Sequence, residues 1–129
     1  MSDHFLIDTS LWTCAIRRKG FDAEREFVQN LVRRDEAAWR DVIRLELWRG
    51  VGSEYDRETL RQLQSDVASY PIDGRTWADA CRLADVGRSK GLQFPPLDLV
   101  IFSCARQHGL RLLSRDKHFE ALETLWPLV

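Results

Sequence analysis

Short apolar runs alternating with longer stretches of helical periodicity constrain this chain more than any other feature. Phe5 to Asp8 (FLID), Ala37 to Val42, Ser69 to Ile72 and Arg111 to Ser114 read as strands. Between them, Thr9 and Ser10 start a helix through Leu11, Trp12 and Ala15 that Gly20 ends. Asp22 starts a second, with Phe27, Leu31 and Val32 on its apolar side, closing at Arg33-Arg34 where cations suit the helix dipole. A third carries Glu46 and packs through Leu45, Trp48 and Val51 before the Gly50/Gly52 break. Asp56 to Ala68 and Thr76 to Lys90 read as helices, the latter closed by Gly91. Phe94-Pro95-Pro96 leads rigidly into a helix from Leu97 to Gln107 that ends at His108-Gly109. The stretch from Asp116 to Val129 reads as a short helix and an extended piece around Pro127. Such alternation specifies an α/β fold, a mainly parallel central sheet flanked by helices. At 129 residues, without internal repeat or linker, residues 1–129 read as one domain.

On that frame four acids stand where ligands bind in α/β sheets, beyond the carboxyl ends of the strands. Asp8 follows the first strand and Asp116 the last, Glu46 rides the third helix, and Asp98 opens the Leu97–Gln107 helix. Converging carboxylates repel one another and take up protons unless a cation intervenes. Oxygen-only ligation favours Mg²⁺, with Mn²⁺ as substitute, over zinc. The expected chemistry is metal-assisted phosphodiester hydrolysis.

A formal net charge of −1 excludes a uniformly basic nucleic-acid coat, so RNA contacts must come from local clusters. The candidates are Arg17-Arg18-Lys19, Arg33-Arg34, Arg40 with Arg44, and Arg115 with Lys117, which flank Asp116. Cys14, Cys81 and Cys104 form no CxxC pair and sit in helix-like apolar patterns, which fits a reduced cytoplasm and a packing role. Asp3 and His4 precede only a brief apolar run, unlike a secretory signal, and no stretch has membrane-spanning length.

The order of these segments resembles the PIN-domain family of metal-dependent ribonucleases, and in particular the VapC-type toxins of toxin–antitoxin pairs. The resemblance covers nearly the whole chain. It rests on Leu6-Ile7-Asp8-Thr9-Ser10-Leu11-Trp12, on Leu45-Glu46-Leu47, on the helix opening Leu97-Asp98-Leu99-Val100-Ile101, and on Leu112-Leu113-Ser114-Arg115-Asp116-Lys117-His118-Phe119. Phe102 and Ser103 depart from the small pair frequent in the family. The resemblance implies that Asp8, Asp98 and Asp116 are direct metal ligands and that Glu46 binds metal or its water. It implies RNA cleavage to a 5′-phosphate and 3′-hydroxyl, a homodimer, and a cognate antitoxin that covers the acidic site and also binds operator DNA.

Each acid also has an ordinary use, Asp8 as a helix N-cap and Asp98 as a helix-start charge. It is their joint presence that favours the metal. Ser10 and Ser114 are cap residues or supporting hydroxyls on a ligand carboxylate. His4, His108 and His118 are set aside as non-catalytic. Trp12, Trp39, Trp48, Trp77 and Trp126 are read as core rather than as base-stacking platforms. Two competing functions remain: a catalytically silent PIN-like module that binds RNA or protein, and a PIN nuclease in RNA processing without an antitoxin. A haloacid-dehalogenase-type phosphotransferase is excluded, because Ser10 stands where its second Asp belongs.

Overall fold

The computed structural model describes residues 4–17 and 19–126, which pack as two compact units. The first runs to Pro71 and takes in Arg111–Arg115; the second comprises Ile72–Leu110 and the chain from Asp116 onward.

In the first unit the order is β1 (Phe5–Ile7), α1 (Thr9–Ile16), α2 (Asp22–Arg33), β2 (Ala37–Arg40), α3 (Asp41–Gly50), α4 (Glu54–Asp66) and β3 (Ala68–Tyr70). The second unit contains α5 (Gly74–Ser89), α6 (Pro96–Gln107) and α7 (His118–Leu125), and β4 (Arg111–Leu113) returns to the first. The four strands form one sheet in the order β3-β2-β1-β4, parallel throughout. Register places Leu6 opposite Ala38 on one side and Leu112 on the other.

Strands covered on both faces need continuous apolar sequence rather than alternation. That is why β2, Ala-Ala-Trp-Arg, is buried at every position. Trp39 meets Trp12 of α1 with ring centroids 4.9 Å apart, and Leu6, Ile7, Ile43 and Leu60 complete a fully buried core. In the second unit α6 is apolar nearly all round, and Leu99 through Ala105 are buried, as such a helix requires. Side-chain caps fix several helix starts: Ser53 accepts from the Asp56 N–H for α4, and Asp73 from the Thr76 N–H for α5. Gln107 also donates to Asp73 at 2.7 Å, joining the end of α6 to the start of α5. These contacts, the Thr76 N–H first, hold the Asp73 carboxyl below the usual carboxylate range.

Several expectations need correction. The second strand stops at Arg40, because α3 follows at once from Asp41 rather than after Val42. Leu45 is 69% exposed, and α3 packs through Ile43 and Leu47, one helical turn apart, instead. Phe27 is likewise exposed, with Val28 and Leu31 forming the buried side of α2. Ala68 begins β3 rather than ending α4. Trp77 and Cys81 lie on the exposed side of α5, so neither is core. Arg40 is fully buried and is no surface phosphate contact, and Arg44 pairs with Asp41. The extended piece around Pro127 lies outside the described residues.

Candidate metal centre

Asp8 leaves β1 in extended conformation and caps α1, so one residue ends the strand and begins the helix. It is 95% buried, and its Oδ2 accepts three hydrogen bonds: from Ser114 Oγ at 2.9 Å, Ser10 Oγ at 3.1 Å and the Ser10 N–H at 3.4 Å. Oδ1 accepts none of them. Ser114 reaches Asp8 because β4 lies beside β1, with the Asp8 N–H bonded to the Leu113 carbonyl at 2.9 Å. Ser10 Oγ also accepts from the Arg115 N–H at 3.1 Å, which ties the turn after β4 to α1. Glu46, half-buried on α3, has its Oε1 held by Thr9 Oγ1 at 2.6 Å. Thr9 and Ser10 therefore position two acids, Glu46 and Asp8, through adjacent hydroxyls.

The second unit carries its own acidic cluster. Asp98 sits in the first turn of α6 behind Pro95 and Pro96, and Asp116 precedes α7. Ligand atoms of Asp98, Asp116 and His118 all lie within 4.8 Å of one another. His118 Nδ1 stands 2.8 Å from Asp98 Oδ2 and 3.0 Å from Asp116 Oδ1, and its backbone N–H donates to Asp116 at 3.0 Å. The hydrogen bond to Asp98, aided by the charge of Asp116, raises the imidazole's affinity for its proton. His118 is more than a sequence neighbour of Asp116, since its ring joins the two carboxylates.

Carboxylate oxygens dominate the group of Asp98, Asp116 and His118, and a divalent ion fits it. Asp8 keeps one carboxylate oxygen clear, and in the second unit two carboxylates converge on a position bridged by the His118 imidazole. Zinc, which favours His and Cys, is served only by His118. Arg115 lies with its guanidinium 4.8 Å from the Phe21 ring centroid and Nη1 3.4 Å from Cys14 Sγ, and Lys117 is exposed. Among the described residues no helix is long and apolar enough to cross a membrane.

A family model described as the PIN domain matches residues 5–125. Among solved structures the chain is similar to VapBC2 from Rickettsia felis bound to a DNA fragment from their promoter, at TM-score 0.76 and 19% identity over 91% of each chain. It is also similar to VapC20 from Mycobacterium tuberculosis, a sarcin–ricin loop cleaving toxin, at TM-score 0.68 and 18% identity over 91% of this chain and 93% of that one. A third is FitAcB from Neisseria gonorrhoeae, at TM-score 0.70 and 17% identity over 92% and 93%. At these identities the likeness is one of fold. No curated protein sequence matches the chain.

Proposed function

The chain belongs to the PIN-domain family, and on that premise we propose that residues 1–129 form one nuclease domain, a Mg²⁺- or Mn²⁺-dependent endoribonuclease acting as the toxin of a toxin–antitoxin pair. The observation that carries this reading is the state of its acids. Asp8 is buried and fixed through one oxygen by two serine hydroxyls, and Asp98 and Asp116 converge in the second unit. A buried carboxylate is costly unless hydrogen bonds, a partner charge or a metal ion compensate it, and the free oxygen of Asp8 is open to the last of these.

Asp98 and Asp116 would hold the ion in the second unit, and Asp8 and Glu46 are the acids assigned to the same chemistry in the first. A bound divalent ion supplies a more acidic water and neutralises charge developing on phosphate oxygens. The chain's part is orientation: Ser10 and Ser114 fix Asp8, Thr9 fixes Glu46, and His118 fixes Asp98. Arg115 and Lys117 are assigned to phosphates neighbouring the cleaved one. RNA is the substrate class because the similar VapC20 is a sarcin–ricin loop cleaving toxin.

One similar structure is a toxin–antitoxin complex from Klebsiella pneumoniae and another is a member of the VapBC family of toxin–antitoxin systems from Mycobacterium tuberculosis, which supports an antitoxin partner here. An antitoxin tail would lay apolar anchors into the groove between α1, α2 and α4, lined by Ala15, Val28, Val32 and Leu63, and offer an Arg or Lys to the acids. We assign the protein to the cytoplasm, as a homodimer or as a hetero-oligomer with its antitoxin.

Purified protein incubated with RNA should cleave with Mg²⁺ or Mn²⁺ and stop when chelator is added. Full cleavage in metal-stripped buffer with excess chelator would overturn the metal mechanism, and no cleavage of any RNA would leave the silent binding module.

A further inference from the structure

Beside Glu46, within the first unit alone, lies a cavity of about 380 Å³. That volume falls in the ~300–1,000 Å³ range of small-molecule sites. Ile16 of α1 and Leu47 of α3 form apolar walls, and Thr13, Arg17, Asp56 and Glu46 itself add polar groups. Arg17 and Asp56 are the informative pair. Their opposite charges face one cavity, yet among the described residues neither side chain makes an ion pair or a hydrogen bond, with the other or elsewhere. Arg17 is exposed and Asp56 half-buried, so water meets both, and a ligand presenting donors at one end and acceptors at the other would replace it.

Gly50 and Gly52 supply an independent observation. Both line the cavity, neither has the left-handed backbone that calls for glycine, and a Cβ on either would meet nothing within 4 Å. Gly50 closes α3, and an alanine there would fit both its backbone and its surroundings. Their bare backbones leave a surface on which a flat ring can lie.

We propose that this cavity is a subsite for one unpaired guanine of an RNA strand, a reading that rests on the ribonuclease function proposed above. Guanine is the only one of the four bases with two adjacent donors, N1–H and the N2 amine, and it carries O6 and N7 acceptors on its other edge. The Asp56 carboxylate suits the donor pair, the Arg17 guanidinium suits O6 and N7, and the Thr13 hydroxyl, whose proton goes to the Thr9 carbonyl at 2.8 Å, adds an acceptor for the donor edge. Adenine and cytosine bring one amine beside an acceptor that would face the carboxylate unfavourably, and uracil brings a single donor. Sequence-specific RNA recognition favours such splayed, single-stranded bases read along their edges. Ile16 and Leu47 then receive the apolar ring faces.

The test has a binding arm and a cleavage arm. The 5′-monophosphates of guanosine, adenosine, cytidine and uridine are titrated into the whole protein while the Gly50 and Gly52 amide resonances are followed. Guanosine monophosphate should bind about 10- to 100-fold more tightly than the others, the discrimination one bidentate base contact supplies. Gly52→Val should abolish its binding without lowering the melting temperature, and Asp56→Asn and Arg17→Gln should each erase most of the preference. Equal affinity for all four, or a preference that Gly52→Val and Asp56→Asn leave intact, overturns the subsite. In the cleavage arm, RNA oligonucleotides differing at one unpaired position are digested. Cleavage without base preference sinks the subsite while the ribonuclease stands. Selective guanosine binding with no cleavage of any RNA sinks the ribonuclease while the guanine site stands.

Discussion

Asp8 receives all three of its hydrogen bonds on one oxygen, so removing a donor changes the aim of the carboxylate rather than the strand that carries it. Ser114→Ala should therefore lower stability by up to about 1.5–3 kcal/mol, the worth of a hydrogen bond to a charged group, and lower RNA cleavage by more than the lost folded fraction accounts for. Single-turnover rates on purified variants measure this, and wild-type rates for Ser114→Ala would assign the serine to capping alone. Asp98→Asn should abolish cleavage outright while the circular dichroism spectrum stays native; near wild-type activity would exclude it as an essential ligand. The Ser10 hydroxyl is legible in the sequence because it lies two residues from Asp8, whereas Ser114 lies two residues from Asp116 yet donates to Asp8, a pairing that only the β1–β4 neighbourhood supplies. Nor is His118 legible there. Its ring reaches Asp98, 20 residues earlier, through a turn in which its own N–H bonds to Asp116, and no periodicity announces such a turn. Arg40 was misread for a related reason: charge in a sequence implies surface, and only the parallel neighbours of β2 show that its last residue is enclosed.

Element by element, the strands were the easiest to place, because short runs such as Phe5–Ile7 and Arg111–Leu113 have no helical alternative of adequate length. Faces of helices were harder: α3 shows its apolar residues on more than one side, and neighbours alone decide that Leu47 packs while Leu45 does not. α4 shows how little holds some helices down. Leu60 is its only buried residue among those described, so Leu60→Ala should cost about 2–5 kcal/mol, read as a lowered urea midpoint. In α5 the tight point is Gly87, where an added Cβ would lie 3.1 Å from the Phe94 ring and 3.3 Å from the Leu92 carbonyl. Gly87→Ala should destabilise by about 1–3 kcal/mol; an unchanged melting temperature would show that the loop yields. Asp73 at the start of α5 links stability to pH. Its folded carboxyl lies below the ordinary value near 3.8, so its contribution is full above that value and fades as pH falls through the lower, folded one. Asp73→Asn should flatten the acid limb of the stability curve, measured by thermal melts at stepped pH.

For the molecule as a whole, the proposed toxin should arrest bacterial growth when expressed alone, the Asp8→Asn variant should not, and the antitoxin should restore growth and co-purify with it. Harmless high expression of the wild type would end the toxin assignment and spare the nuclease. Replacing Arg115 and Lys117 together with glutamine should flatten the salt dependence of RNA binding by roughly two phosphate contacts. The parallel sheet was foreseeable from the alternation of elements, but its strand order was not, because any strand of similar length and hydrophobicity could flank β1. That order carries a consequence for biosynthesis. β1 pairs with β4, and the hydroxyl that Ser114 lends to Asp8 belongs to a residue 106 positions later in the chain. A ribosome emits the two ends of this contact many seconds apart at about 5–20 residues per second. Until the late segment clears the exit tunnel and docks, Asp8 lacks one of the groups that aim it, so a nascent chain should fall short of whatever activity the proposed nuclease has once complete.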